Sequence, residues 1–157
     1  MQAILRLASL AIFGKDRSQK VCGKDGTLCL QQAAQVWLEN QRSTEQWQDH
    51  SSRCNFSTLH AYEYTLAEDS SNLHRNVIFR SSRVPQAVIS AKDAPEPEQL
   101  WGWLNRTCIE GDTDCDVLAI PHNSNWSSGR MWYPYTNQDL PLQEQKRLAA
   151  LRARLEP

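Results

Sequence analysis

The chain has 157 residues, a length that suits a single domain with a hydrophobic core of its own. Its 17 basic and 18 acidic residues give a formal net charge of −1, which excludes the basic excess of a general nucleic-acid or membrane-surface binder. No stretch of the sequence is apolar for long enough to span a membrane as a helix.

The first predicted element lies near the amino terminus, where Ile4, Leu7, Leu10 and Ala11 recur on one side of a helix. Polar residues interrupt this apolar stretch, and neither a leading basic segment nor a small-residue cleavage site is clear. The segment therefore predicts an amphipathic helix, with no clear signal peptide.

The five cysteines include two pairs of the same spacing. Cys22 and Cys29 enclose six residues, as do Cys108 and Cys115. Neither pair has the CxxC spacing of a structural zinc site, so we expect two local disulfides and an oxidising compartment. Cys54 is left over, either as a free thiol or with a partner outside this chain.

Helices and strands alternate along the rest of the chain, which predicts an α/β architecture. The short apolar run 117–120 is typical of a strand buried on both faces, and His122 follows its end at Pro121. In parallel α/β folds, ligands collect at the carboxyl ends of such strands. The predicted helices are 30–49, 98–109 and 142–155, and the predicted strands are 56–66, 73–80 and 117–120.

Two of the predicted helices carry an apolar stripe that should face the core. In the helix 98–109 the stripe consists of Leu100, Trp101 and Leu104. In the helix 30–49 it consists of Ala33, Ala34, Trp37, Leu38 and Trp47.

Three chemically matched side chains come from the three predicted strands: Glu63, His74 and His122. Side chains alternate along a strand, so Glu63 shares its face with small residues, where a ligand would fit. Two imidazoles and a carboxylate are a partial ligand set for Zn, Mn or Fe. Taken singly, each residue has an ordinary alternative as a solvated carboxylate or a hydrogen-bonded histidine.

Four sequence blocks carry a resemblance to a known family. They are AYEYT at 61–65, NLHRNVIFR at 72–80, PEQLWGWL at 97–104 and DVLAIPHNSNWSSGRMWY at 116–133. In this order they resemble the bacterial family catalogued as domain of unknown function 3604. That family is related to the PHP (polymerase and histidinol phosphatase) metallohydrolases, whose fold is a distorted seven-stranded β/α barrel.

The resemblance implies a cluster of divalent metal ions held at several strand ends. By that resemblance, Glu63 corresponds to a carboxylate that bridges two metals, His74 to the histidine after it, and His122 to the histidine of a later strand end. The H-x-H strand, the Asp-His pair and a last Asp/His strand of the PHP pattern are absent from this sequence. We therefore expect residues 1–157 to form one partial domain, an internal piece of an incomplete PHP-like barrel.

The expected function is metal-dependent hydrolysis of a small anionic substrate, such as a phosphate ester, by a secreted or periplasmic parent protein. The remaining segments of the same barrel would be partners, and this chain alone would be inactive. The alternative is a non-catalytic binding or structural piece, or a truncated reading frame. The side chains that we expect to contact substrate are Arg75, Arg80, Asn123, Asn125 and Arg130.

Overall fold

A computed structural model describes residues 17–68, 71–111, 114–133 and 139–156. The expected amino-terminal helix with Ile4, Leu7, Leu10 and Ala11 lies outside the described residues. None of the described helices is long and apolar enough to cross a membrane. The elements in chain order are α1 (Gln19–Cys22), α2 (Thr27–Trp47), β1 (Ala61–Tyr64), β2 (Ala67–Glu68), β3 (Ser71–Asn72), β4 (Arg75–Phe79), α3 (Pro97–Leu104), a π-helical turn (Asn105–Ile109), β5 (Val117–Pro121), two 3-10 turns (Ser124–Trp126 and Arg130–Trp132) and α4 (Leu142–Leu155).

The main sheet has three strands in the order β1-β4-β5, and both pairings are antiparallel. The expectation of parallel strands buried on both faces is therefore wrong. In β5, Val117 and Ala119 are buried, whereas Leu118 and Ile120 are 37% and 40% exposed. A short apolar run does not reveal by itself whether one face or both faces of a strand are covered.

Strands β1 to β4 form one interrupted hairpin. Strands β2 and β3 pair antiparallel beyond the end of the β1–β4 ladder. Between the two ladders, the N–H of Leu73 donates to the carbonyl of Leu66 at 2.8 Å. The whole hairpin therefore keeps one register, which fixes the residues that face each other near its centre.

The core lies between one face of the main sheet and helix α3. From the sheet, Val77 and Phe79 of β4 are fully buried, and from the helix the stripe of Leu100, Trp101 and Leu104 is buried as expected. A capping box between Glu96 and Gln99, with Pro97 at the first helical turn, determines where α3 begins.

Helix α2 packs on this core through a single large side chain. Trp37 is 3% exposed, and its indole N–H donates to the carbonyl of Pro85 at 2.8 Å. Leu38 and Trp47, which we expected on the buried stripe, are 40% and 67% exposed. Ala33 and Ala34 are exposed as well, so that part of the prediction is wrong: most of the expected stripe faces solvent, and Trp37 is the buried residue of α2.

Both expected disulfides are present. Cys22 and Cys29 are joined with their Cα atoms 4.8 Å apart, and Cys108 and Cys115 with theirs 5.0 Å apart. Cys54 is an exposed free thiol. Two disulfides in one chain are consistent with a secreted protein or an oxidising compartment.

The fold class is mixed α/β, as expected. In the described ranges the strands form one three-stranded and one two-stranded sheet, which is less than a closed barrel. The PHP-like barrel therefore remains a prediction.

Candidate metal centre

The antiparallel sheet brings Glu63, His74 and His122 to the same edge. Glu63 lies near the end of β1, His74 immediately precedes β4, and His122 immediately follows β5. Because β4 runs against its two neighbours, its amino end lies beside their carboxyl ends. The three side chains therefore meet as expected, but His74 comes from the amino end of its strand, which parallel strands would not allow.

The register also places the three side chains on one face. Glu63 pairs with Asn76, which is two residues beyond His74 on the same strand face. The β4–β5 ladder ends with Arg75 opposite Pro121, so His74 and His122 form the next opposed pair. The N–H of His122 donates to the carbonyl of His74 at 3.2 Å, which holds this pair in register.

The possible ligand atoms of the three residues all lie within 4.8 Å of one another. Glu63 Oε1 is 3.1 Å from His74 Nδ1 and 3.9 Å from His122 Nε2. In a tetrahedral zinc site with bonds of about 2.1 Å, neighbouring ligand atoms are about 3.4 Å apart. These two distances bracket that value, and no pair of donor atoms is more than 4.8 Å apart, so closing the cluster on one divalent ion requires side-chain shifts of about 1 Å.

The cluster combines burial with incomplete hydrogen bonding. The side chains of His74 and His122 are 14% and 27% exposed, whereas that of Glu63 is 45% exposed. The other ring nitrogens, His74 Nε2 and His122 Nδ1, are buried without a hydrogen-bond partner in the described part of the chain. They are not the nitrogens nearest Glu63, so an ion held by the three residues would use the opposite ring nitrogens, and these two would take hydrogen-bond partners of their own.

Local electrostatics favour the neutral form of His74. Burial lowers the pKa of His74 below its usual value, the nearby Glu63 carboxylate opposes this, and His122 and Arg75 add to the lowering. A neutral imidazole is the form that binds a metal ion. The environment of His74 therefore suits a ligand role better than a permanently charged ion pair.

The sequence analysis missed one residue of this cluster, Thr65. Its hydroxyl donates to Glu63 Oε1 at 2.9 Å. Thr65 lies two positions after Glu63, so strand alternation puts both side chains on one face. A hydroxyl at that spacing from a candidate carboxylate is the signal that could have identified it.

The two asparagines expected to contact substrate lie in the turn that follows His122. Asn123 has a left-handed backbone with φ 59°, which turns the chain out of the sheet, and Asn125 lies within the 3-10 turn. The hydroxyl of Ser127, a buried residue, donates to the carbonyl of Ser124 at 2.7 Å and closes this turn. Both asparagines are exposed beside His122.

The three arginines expected to contact substrate are not gathered at the cluster. Arg75 is 2% exposed on the core side of the sheet, where its Nε donates to Glu156 at 2.8 Å. Arg80 follows the opposite end of β4, and its side chain is 82% exposed with Asp116 at 3.8 Å. Arg130 lines a small cavity of about 100 Å³ together with Arg75.

The remaining histidines belong to another contact. His60 Nε2 lies 2.8 Å from Glu45 Oε1, and His50 Nε2 lies 3.4 Å from the other oxygen of the same carboxylate. His60 is buried, and its Nδ1 also has no partner in the residues that the structure describes. Because Glu45 lies in α2 and His60 immediately precedes β1, this contact ties the helix to the start of the sheet.

Comparisons with known proteins assign the chain to a family by its sequence. The family model described as "Protein of unknown function (DUF3604)" matches residues 3–157. The chain belongs to this family. No curated protein matches it, and no solved structure matches it.

Membership of DUF3604 confirms the resemblance seen in the four sequence blocks. The family description names no activity, so it does not test the relation to PHP metallohydrolases. The chemistry of this DUF3604 chain must therefore be inferred from the cluster of Glu63, His74 and His122.

Proposed function

We propose that this chain carries part of the divalent-metal site of a hydrolase that acts on a small anionic substrate such as a phosphate ester. The observation that supports the proposal is the convergence of Glu63, His74 and His122 within 4.8 Å on one face of the sheet. These residues are separated along the chain, so only the fold could bring their donor atoms together.

The donor set determines which ions fit. Two imidazoles and one carboxylate suit Zn, and they also suit Mn or Fe. When bound, such an ion supplies Lewis acidity at neutral pH. Glu63 contributes the negative charge that offsets part of the charge of the ion, and its partial exposure keeps the site open to a substrate from solvent.

Substrate contact would come from the turn after His122. Asn123 and Asn125 carry amide groups that can donate hydrogen bonds to substrate oxygens, and both are exposed in the turn that follows His122. Arg75 has an internal ion-pair partner, and Arg80 lies at the far end of its strand. The asparagines are therefore better placed than these two arginines to orient an anionic group.

The proposal extends to a PHP-like parent fold and to export from the cytoplasm. Three donors leave coordination positions open for further ligands, as a site completed by other barrel segments requires. The two disulfides support a secreted or periplasmic location. Because the site is open, we expect this chain alone to bind metal weakly and to turn over little substrate.

Metal content and phosphoester turnover of the purified chain test the proposal. We expect the wild type to take up about one equivalent of Zn²⁺ or Mn²⁺ only when the ion is added in excess, and Glu63→Gln and His122→Ala to take up none under the same conditions. His50→Ala is the matched control because His50 is exposed and contacts Glu45 instead.

Unchanged metal content in both variants would remove Glu63 and His122 from the site. Metal binding with no turnover, even after the missing segments are supplied, would favour the non-catalytic alternative. Strong turnover by the isolated chain, lost in both variants, would show that the active site is complete without further segments.

A further inference from the structure

We propose that Thr65 is a positioning residue that holds the Glu63 carboxylate in place for metal binding. The inference rests on the proposed metal site. It assigns the Thr65 hydroxyl a role that neither the sequence blocks nor the family description suggests.

The geometry centres on one oxygen atom. The Thr65 hydroxyl donates to Glu63 Oε1 at 2.9 Å, and this same oxygen is the one nearest to both His74 and His122. A carboxylate oxygen has more than one lone pair, so Oε1 can accept this hydrogen bond and still face a metal ion. The hydrogen bond therefore fixes the oxygen that the cluster needs without occupying the whole carboxylate.

The fold explains why Thr65 is available for this role. The β1–β4 ladder ends with Tyr64 opposite Arg75, so Thr65 and His74 are the next opposed residues of the hairpin. Thr65 thus lies beside Glu63 along its own strand and beside His74 across the hairpin. Thr65 is exposed, and the bond to Glu63 is its side chain's one hydrogen bond within the described residues.

Glu63 needs such a partner because much of its side chain faces solvent. The Glu63 side chain is 45% exposed, and a long side chain in that position otherwise moves among several rotamers. Threonine is β-branched and stiff at χ1, so its hydroxyl is itself held in one direction. Groups that hydrogen-bond a metal ligand typically change metal affinity by about 10- to 100-fold when they are removed.

Two substitutions separate the hydroxyl from the shape of the side chain. Thr65→Val keeps the branched shape and removes the hydroxyl, whereas Thr65→Ser keeps the hydroxyl. We expect the dissociation constant for Zn²⁺, measured by competition with a chromogenic chelator, to rise about 10-fold in Thr65→Val and to change less than about twofold in Thr65→Ser.

The Co²⁺ absorption spectrum should change in Thr65→Val and be restored in Thr65→Ser, because it reports the ligand geometry directly. Thr44→Val is the matched control. Its hydroxyl donates to the carbonyl of Asn40 in the same helix and to no residue of the cluster, so we expect wild-type Zn²⁺ affinity in this variant.

Crystal structures of metal-free wild type and Thr65→Val provide a readout that needs no metal. We expect Glu63 Oε1 to move away from the two imidazoles in the variant. A carboxylate that stays in place, or wild-type Zn²⁺ affinity in Thr65→Val, overturns the inference. If the wild type binds no Zn²⁺, the proposed function fails, and the movement of Glu63 still decides whether Thr65 positions it.

Discussion

Polar side chains on the two faces of the main sheet have different surroundings, and two adjacent residues show the difference. His74 projects to the solvent-facing side and Arg75 to the core side. Arg75 is almost fully buried and donates to Glu156 and to the carbonyl of Leu73. His74 has a buried ring nitrogen without a partner in the described ranges.

The core-side group is a complete internal network. The Glu156 side chain is 1% exposed and accepts hydrogen bonds from Arg75 at 2.8 Å, Trp101 at 2.7 Å and Arg152 at 3.1 Å. The guanidinium carbons of Arg75 and Arg152 lie 6.0 and 5.9 Å from the Trp101 ring centroid. This network joins the end of α4 to β4 and α3, which is a structural task.

In this molecule, the comparison distinguishes buried charged groups that stabilise the fold from side chains that are available to bind a ligand. Where the fold supplies partners, as for Arg75, a buried charged group supports packing. Where the fold instead brings donor atoms of Glu63, His74 and His122 within 4.8 Å of one another, with Glu63 45% exposed, an ion from solvent can complete the group. Changes on the core side should therefore alter stability, and changes on the solvent side should alter metal binding.

The largest effect should come from removing the acceptor of the core-side network. Glu156→Ala leaves the Arg75 guanidinium and the Trp101 N–H buried without their acceptor. We expect the free energy of unfolding to fall by about 3–5 kcal/mol, measured by urea denaturation. In Glu144→Ala, which removes an exposed pair with Arg147 on the same helix, we expect no resolvable change. Equal losses in the two variants would contradict the structural role of the network.

The next effect is stabilisation of the folded chain by metal. At a free Zn²⁺ concentration 100 times its dissociation constant, binding should add about 2.7 kcal/mol to the free energy of unfolding. His122→Ala should lose this increment, and His50→Ala should retain it. An increment that persists in His122→Ala would place the stabilising ion outside the solvent-side cluster.

A slightly smaller effect should follow removal of the Cys108–Cys115 disulfide, which lies between α3 and β5 along the chain. Cys108 follows α3 and Cys115 leads into β5, with a sequence separation of 7. Replacing both by serine should cost about 2.5 kcal/mol of unfolding free energy and should also weaken Zn²⁺ binding, because β5 positions His122. The Cys22–Cys29 pair has the same separation but lies at the start of α2, so its removal should leave Zn²⁺ affinity unchanged. Equal weakening of Zn²⁺ binding after removal of the Cys22–Cys29 pair would instead show a general loss of structure.

The smallest effect should be that of Arg80→Ala. The guanidinium is exposed and 3.8 Å from Asp116, at the end of β4 opposite His74. We expect a change of less than about 0.5 kcal/mol in unfolding free energy and an unchanged Zn²⁺ affinity. A clear loss of metal or substrate binding in this variant would show that Arg80 takes part in the site.

Side-chain alternation made part of the site predictable from the sequence. It placed Glu63 on the face with small residues, and the separate strands suggested that His74 and His122 would join it. Strand direction was not predictable, since the apolar run 117–120 fits a parallel or an antiparallel strand equally well. His74 lies at the amino end of β4. Only the observed antiparallel pairing shows that this end lies beside the carboxyl ends of β1 and β5.

Other features depend on contacts that local patterns do not encode. Strand alternation puts Arg75 on the apolar face of Val77 and Phe79, but its partner Glu156 is 81 residues away and could not be identified from the local sequence. The apolar stripe of α2 looked like a core face, but Trp37 is the buried residue of that helix. Both disulfides, in contrast, were predictable because short loops bring cysteines together without help from the rest of the fold.

The most direct test of the metal centre is anomalous diffraction at the zinc absorption edge, using crystals of the chain grown with equimolar Zn²⁺. We expect one strong peak about 2.0–2.2 Å from Glu63 Oε1 and from one ring nitrogen of each of His74 and His122. A peak beside Glu45 and His60 only, or no peak within bonding distance of the three residues, would contradict the account.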